Sequence, residues 1–547
     1  MTPTLSRRNF LTSLLPPPTG NSAPGKAKRQ FAPLSSPLDP FVPTAGQWNE
    51  YLAGHLLRRT MMAPKWADIE ALVALGGPGP AVDLLLNATS TPAAPAAATD
   101  ATQDPANFDN VTLQGQIYGQ LTSDAGALRA WWAALHVTAS NSIQEKMTAF
   151  WSGHFTSQFD LGNNMYVVAP LLYNQNQLFR SNALGNFQDL VKAVTLDGAM
   201  LVFLGGNLNV ASAPNENYAR ELMELFTCGL GGGYTEADVH AAARILTGWK
   251  ASLFMGDPDP NGIFQIYFSP SDHDTGDKIY LFADFPAISA SENTQDLVQT
   301  NEINKLIDVL FSYTSSALAN FICTKLYQFF VYSDPDSASD STEQSVIAAM
   351  ADLFIQNNWE IKPVMSALLK SAHFFGNNNI GCQIKSPAEY VIGLARQIVP
   401  ADQQTAFLNS SLDADMTNDG EQFFQPPNVS GWPGYHDWLT TNTYPLHGTQ
   451  ATGIIQSMSD SDAIAFIKKF PIPTYSNVNS LSTAIGQLLL PRPLSSARAT
   501  TFAEALLGTQ TNDNEWPTIL SGPPAELAAN IRNLLNYIIA LPDFQLC

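Results

Sequence analysis

The stretch ENYARELMELFTCGLGGGYTEADVHAAARILTG, residues 216–248, limits the fold more than any other, because only a helix sorts its residues by polarity. At about 100° per residue, Tyr218, Ala219, Leu222, Met223, Leu225 and Phe226 fill one side. Glu216, Asn217, Arg220, Glu221, Glu224 and Thr227 fill the other. Gly229 and Gly231 to Gly233 supply a C-cap and turn. Thr235 with Asp238 then opens a second helix, on which Glu236, His240, Arg244 and Thr247 share a stripe and the alanines permit close packing.

Helical spacing recurs along the chain. Trp48 to Leu86 reads as short helices broken by Pro64 and the GGPGP turn. In SIQEKMTAFWSGHF, Ser142 and Glu145 have capping-box spacing, so a helix is predicted to start at Ser142. The runs IFQIYF (263–268) and KIYLF (278–282) read as strands of one β-hairpin. FFQPPNVSGWPGYHDW (423–438) is too rich in Pro and Gly for a regular element and reads as a structured loop. The expectation is a mainly α protein: a leader at 1–40, a large multi-helical core at 41–455 carrying the hairpin, and a helical segment at 456–547 packing on that core.

Charged residues make up only 14% of the chain and hydrophobic residues 45%, which excludes a disordered composition. The formal net charge of -21 argues against nucleic acid as a partner. No segment has the roughly eighteen uninterrupted apolar residues of a membrane span. Residues 1–30 run against the overall charge, with Arg7, Arg8, Lys26, Lys28 and Arg29 and no acid. SRRNFLTSLL resembles a twin-arginine export signal with a short apolar part, so export to the periplasm, envelope or medium is expected. Four scattered cysteines make neither a disulfide scaffold nor a cysteine zinc site.

No nucleophile elbow, zincin helix, phosphate loop or dinucleotide fingerprint occurs. Candidate chemistry lies elsewhere. Glu221, Glu224 and Arg220 could supply acid, base and charge stabilisation, or the stripe could be a solvated face paired at i, i+4. His273 and Asp274, in an acidic loop, could move protons or hold a metal. His154, Glu216 and His273 are candidate ligands for a divalent metal, with His154 alternatively a satisfied core histidine. Asp257, Asp259, Asn261 and Gly262 match the first half of a calcium loop, but Phe268 stands where a bidentate Glu belongs. Trp432, Trp438, Tyr435 and His436 could form a platform for a sugar or another flat ligand, or pack the core.

An ordered series of segments carries a resemblance: HLLRRTMMAP, EKMTAFWSGHF, the 215–249 stretch, FSPSDHDTGDKIYLF, LANFICTKLYQFFV, IKSPAEYVIGLAR and PPNVSGWPGYHDWL. Together they resemble the bacterial family called domain of unknown function 1800 (DUF 1800), over roughly residues 45–545. The resemblance implies a largely helical, often exported protein, frequently encoded beside an alkaline-phosphatase-like secreted family that is a candidate partner. Where that family usually reads Trp-His-Asn-His-Phe, this chain has Trp151, Ser152, Gly153, His154 and Phe155, so one histidine of any metal-binding pair is missing.

The resemblance favours a polar cleft formed by Glu216, Asn217, Arg220, Glu221 and Glu224 with His154, His240, Arg244 and His273. Two readings stay open: an exported, metal-assisted hydrolase using that cleft, and a non-catalytic envelope protein that binds glycan, peptide or a secreted partner, with the cluster structural.

Overall fold

In the computed structural model, helix boundaries follow local capping chemistry. The description covers residue 29 and residues 36–98, 111–162, 165–251, 266–339, 341–400, 403–408, 412–508 and 512–547. Helix α1 (Glu50–Thr60) begins where the Asn49 side chain accepts the N–H groups of Tyr51 and Leu52. Helices α2 (Val111–Thr138), α3 (Gln144–His154) and α4 (Ala169–Ser181) pack together. Their contact is locked by Glu145, which accepts two hydrogen bonds from Arg180 at 2.6 and 2.8 Å and one from the Trp132 indole at 3.1 Å. That use of Glu145 changes the predicted cap: the Ser142 hydroxyl accepts the Gln144 N–H, but the Glu145 carboxylate does not turn back.

The 216–248 stretch forms α5 (Glu216–Glu221), capped by Asn215, which widens into a π turn over Leu222–Thr227, and then α6 (Glu236–Ile245) with a complete Thr235/Asp238 capping box. Helices α7 (Ser315–Phe330) and α8 (Thr342–Gln356) pack against each other, and α9 (Pro387–Gln397) starts at a Ser386/Glu389 capping box. Toward the C-terminus, α10 (Thr443–Ser457), α11 (Val478–Leu489) and α12 (Pro524–Ile539) join one apolar core that runs from Trp48 to Phe544. Across this junction Tyr390 donates to the His447 carbonyl and Lys385 to the Phe544 carbonyl.

The protein is mainly α. The described strands form three antiparallel pairs: β1 (Asp160–Gly162) with β2 (Met165–Tyr166), β3 (Trp249–Ala251) with β4 (Ile266–Phe268), and β5 (Lys278–Tyr280) with β6 (Ala283–Phe285). The expected hairpin between 263–268 and 278–282 does not form. The first run pairs backward onto 249–251 and the second folds onto its own continuation, through a two-residue turn at Leu281 and Phe282 with φ of 46° and 64°. No single helix among the described residues is long and apolar enough to cross a membrane.

Candidate functional site

The polar stripe of α5 is a network of ion pairs at the surface. Arg220 donates to Glu236 at 2.7 and 2.9 Å and reaches Glu216 and Glu224 at 3.3 and 3.4 Å, and the second Glu216 oxygen lies 3.2 Å from His240 Nδ1. Pairs this exposed are screened by solvent and contribute little to stability. Asn217 donates to the Leu204 carbonyl at 3.1 Å, and Glu221 is buried.

The histidine of the acidic loop is fully enclosed. His273 Nδ1 lies 2.9 Å from the Thr247 carbonyl, and its Nε2 is 3.2 Å from Glu302, whose other oxygen accepts from Lys278 at 2.8 Å. Next to it Arg244 grips Asp274 through two bonds of 2.7 and 3.2 Å. Partial burial works to raise the Asp274 carboxyl, but the Arg244 guanidinium and the Gly276 N–H outweigh it and hold the carboxyl below its ordinary value. These groups fasten the 269–278 loop to the end of α6. Thr247, Glu302 and Lys278 complete this lock; Glu302, on a separate helix, carried no local sequence signal.

The expected shared cleft is therefore not assembled: the stripe lies at the surface, His273 in its own buried network, and His154 in a separate cavity. Among the described residues no group of three or more His, Cys, Asp or Glu is arranged to hold a metal ion. Asp257, Asp259 and Asn261 lie outside the described residues.

His154 borders an open cavity of about 350 Å³ lined by α3, α7, the start of α9 and the 430–438 loop. By contrast a void of about 10 Å³ near Tyr218 and Trp249 has room for about one water. The large cavity is where separate sequence segments meet. Met62, Lys146, Lys325, Glu389 and Trp432 each come from a different one of the segments that carried the family resemblance.

Charge on the cavity wall is arranged in opposed environments. Lys146 and Glu389, both almost fully buried, form a tight ion pair. The Ser386 N–H donates to the second Glu389 oxygen at 2.8 Å, and the Cys547 thiol, held by Arg59 at 2.7 Å, sits 4.0 Å from the carboxylate. Burial works to raise the Glu389 carboxyl, but Lys146 and Arg59 overcome it and keep it below the usual range. Glu421 accepts the Ala388 N–H at 2.9 Å at the start of α9, yet burial, aided by the nearby Glu389 charge, pushes its carboxyl up to about 7. Separation of two carboxyl groups in this way assigns different protonation states to neighbours at one pH.

His154 Nε2 donates at 2.9 Å to the carbonyl of Phe226, in the π turn that follows α5. With that proton fixed, Nδ1 is a bare acceptor, sealed from water and without a partner among the described residues. Burial and the neighbouring Lys325 charge drive the ring down to about 3, so it stays neutral. Aromatic rings also line the cavity. Trp432 and Trp438 lie 6.2 Å apart, Tyr435 donates to Tyr332, and Phe150 and Phe329 line it beside His154 and Lys146. Only glycine lets this loop approach α3: Gly431 has φ of +84°, and a Cβ there would fall 2.5 Å from the Gly153 carbonyl oxygen. Trp432 and Trp438, read from sequence as platform or packing, divide accordingly, with Trp438 buried and Trp432 half-buried on the cavity. Glu421, Lys146 and Lys325 went unrecognised in the sequence. The Ser386-to-Glu389 capping-box spacing was the one local signal pointing to Glu389.

No curated protein and no solved structure matches the chain. The family model described as a protein of unknown function (DUF1800) matches residues 55–546, nearly the whole length, and the chain belongs to that family.

Proposed function

We propose that the cavity is an acid–base site that hydrolyses a glycosidic bond in a carbohydrate-class ligand. The observation that carries this reading is the pair Glu389 and Glu421, held in opposite protonation environments on one aromatic-walled cavity. Glycoside hydrolysis asks for this pair: one carboxylic acid protonates the leaving oxygen while one carboxylate handles water or developing positive charge. Glu421, protonated for much of the time near neutrality, gives its proton to the leaving oxygen as the C–O bond breaks. Water adds to the anomeric carbon, and its proton passes to Glu389, whose charge Lys146 sustains. Trp432 offers a face on which a sugar ring stacks.

Replacement Glu421→Gln tests the assignment. Turnover of a chromogenic glycoside or a reducing-end polysaccharide assay should fall about 10²- to 10⁴-fold with binding retained. In the parent protein, kcat/KM should decline as pH rises through about 7. Unchanged turnover in this variant refutes the acid role.

One observation favours a second reading. Both oxygens of Glu389 are already engaged, by Lys146 and by the Ser386 N–H, as in a structural lock. A binding-only protein would then hold glycan in the same cavity without turnover in any variant. The twin-arginine-like start supports a site outside the cytoplasm, testable by fusing residues 1–40 to a reporter active only after export.

A further inference from the structure

The charged groups lining the cavity do not cancel. Lys146 is matched by Glu389, Glu421 is driven toward its neutral form, and His154 stays neutral. That leaves Lys325, one turn before Phe329 on α7. Its ammonium makes no hydrogen bond or ion pair with any described residue, and its one close partner is the Phe321 ring, 5.0 Å from Nζ. Burial pulls the ammonium below the ordinary lysine value with no neighbouring carboxylate to restore it. Half-buried on the cavity, this cation has no counter-charge among the described residues and is free to meet one on a ligand.

Two further features say what that ligand is. Trp432 stands on the same cavity as a flat apolar face, with the Gln328 amide and Ser430 hydroxyl also lining it. Among the described lining residues there is no arginine, so the forked, multi-donor recognition suited to phosphate is missing, while a single lysine suits a single carboxylate.

We infer that the cavity selects a carboxylate-bearing saccharide, a uronic-acid-class ring, with Lys325 reading the carboxylate and Trp432 stacking on the sugar face. This rests on the carbohydrate reading of the cavity and narrows it from sugars in general to acidic ones. The volume of about 350 Å³ falls within the roughly 300–1,000 Å³ of small-ligand sites, enough for a short segment of such a chain.

Calorimetric titration of the full chain with trisaccharides of galacturonate, glucuronate and mannuronate, each beside its carboxyl-reduced neutral counterpart, decides the matter. The acidic form of at least one is expected to bind about tenfold or more tightly than its neutral twin, the usual worth of one charge-assisted hydrogen bond. Lys325→Met should erase that preference and Lys325→Arg should keep it, while Trp432→Ala weakens both forms. Thermal melting of each variant confirms that it folds. Equal affinity for acidic and neutral sugars, or a preference that survives Lys325→Met, overturns the inference while leaving a Trp432-dependent saccharide cavity standing. Tighter binding of a phosphorylated trisaccharide also overturns it. Absence of binding by every sugar removes both this inference and the carbohydrate reading beneath it.

Discussion

Lys146 and Glu389 are each more than nine-tenths buried, so neither can be removed alone without stranding the other. Breaking such a pair costs about 3–5 kcal/mol, because an unpaired charge stays in a poorly solvated place, whereas replacing both by apolar groups of like volume is often neutral. Lys146→Met should therefore destabilise strongly in urea unfolding, and Lys146→Met with Glu389→Leu should recover most of the loss. Additive losses in the double variant would show that the two groups are not coupled. Partnerships of this range explain what the sequence concealed. The i, i+4 pairs of Arg220 with Glu216 and Glu224 were legible from spacing and form as expected. Lys146 and Glu389 are separated by 243 residues, and Glu421 finds the Ala388 N–H across 33, distances over which no local pattern runs. The same limit explains why the stripe drew attention that the cavity did not: a polar helix face is visible one turn at a time, while a cavity exists only after five remote segments meet.

Helices were legible as elements because apolar spacing and caps are local; strand partners were not. KIYLF carries the composition of a strand, but its pairing depends on Leu281 and Phe282 entering left-handed conformations usually left to glycine or asparagine, a turn that the residue types do not announce. The π turn after α5 was equally silent, although its Phe226 carbonyl is what fixes the His154 tautomer at the cavity. The 430–438 loop, legible as structured but not as a cavity wall, depends on one glycine contact. Gly431→Ala places a methyl group where the Gly153 carbonyl stands and adds left-handed backbone strain. The loop must lift from α3, taking Trp432 with it. A stability loss of about 1–3 kcal/mol is expected, together with loss of saccharide binding. Gly76→Ala is the control: φ is +77°, so it also carries positive-φ strain, but its methyl group would meet nothing within 4 Å and it does not line the cavity. Equal behaviour of the two variants in melting and titration would mean that the close approach is not what seats the loop.

Across the whole molecule, a chain with few charges has buried many of its titratable groups, and their shifts set a stability optimum. Burial raises Asp197, Asp419 and Glu421 to about 7 from ordinary values of 3.8 and 4.5. The folded state holds their protons more tightly than the unfolded state does, so their stabilisation is complete below the ordinary values and is lost as pH climbs through 7. Burial moves histidines the other way, to about 3 for His55 and His154 and about 4 for His373. Their neutral forms stabilise fully above 6.5, and that contribution disappears as pH falls through 4 and 3. The two groups oppose each other between about pH 3.8 and 6.5; from 6.5 to about 7 only the carboxyl groups act, and below about 3.8 only the histidines. A formal charge of -21 works in the same direction as the carboxyl groups, since deprotonation adds self-repulsion. Melting temperature measured from pH 4 to pH 8 in buffers of constant ionic strength should therefore pass through a broad maximum in the mildly acidic range and fall toward neutrality. Asp197→Asn should flatten the neutral side, because Asp197, buried beside Gln175 and capping the Met200 N–H, is one of the three groups whose ionisation that decline reports. A melting temperature that rises steadily to pH 8 would mean that these carboxyl groups are not held protonated by the fold, and would remove the basis for Glu421 as an acid.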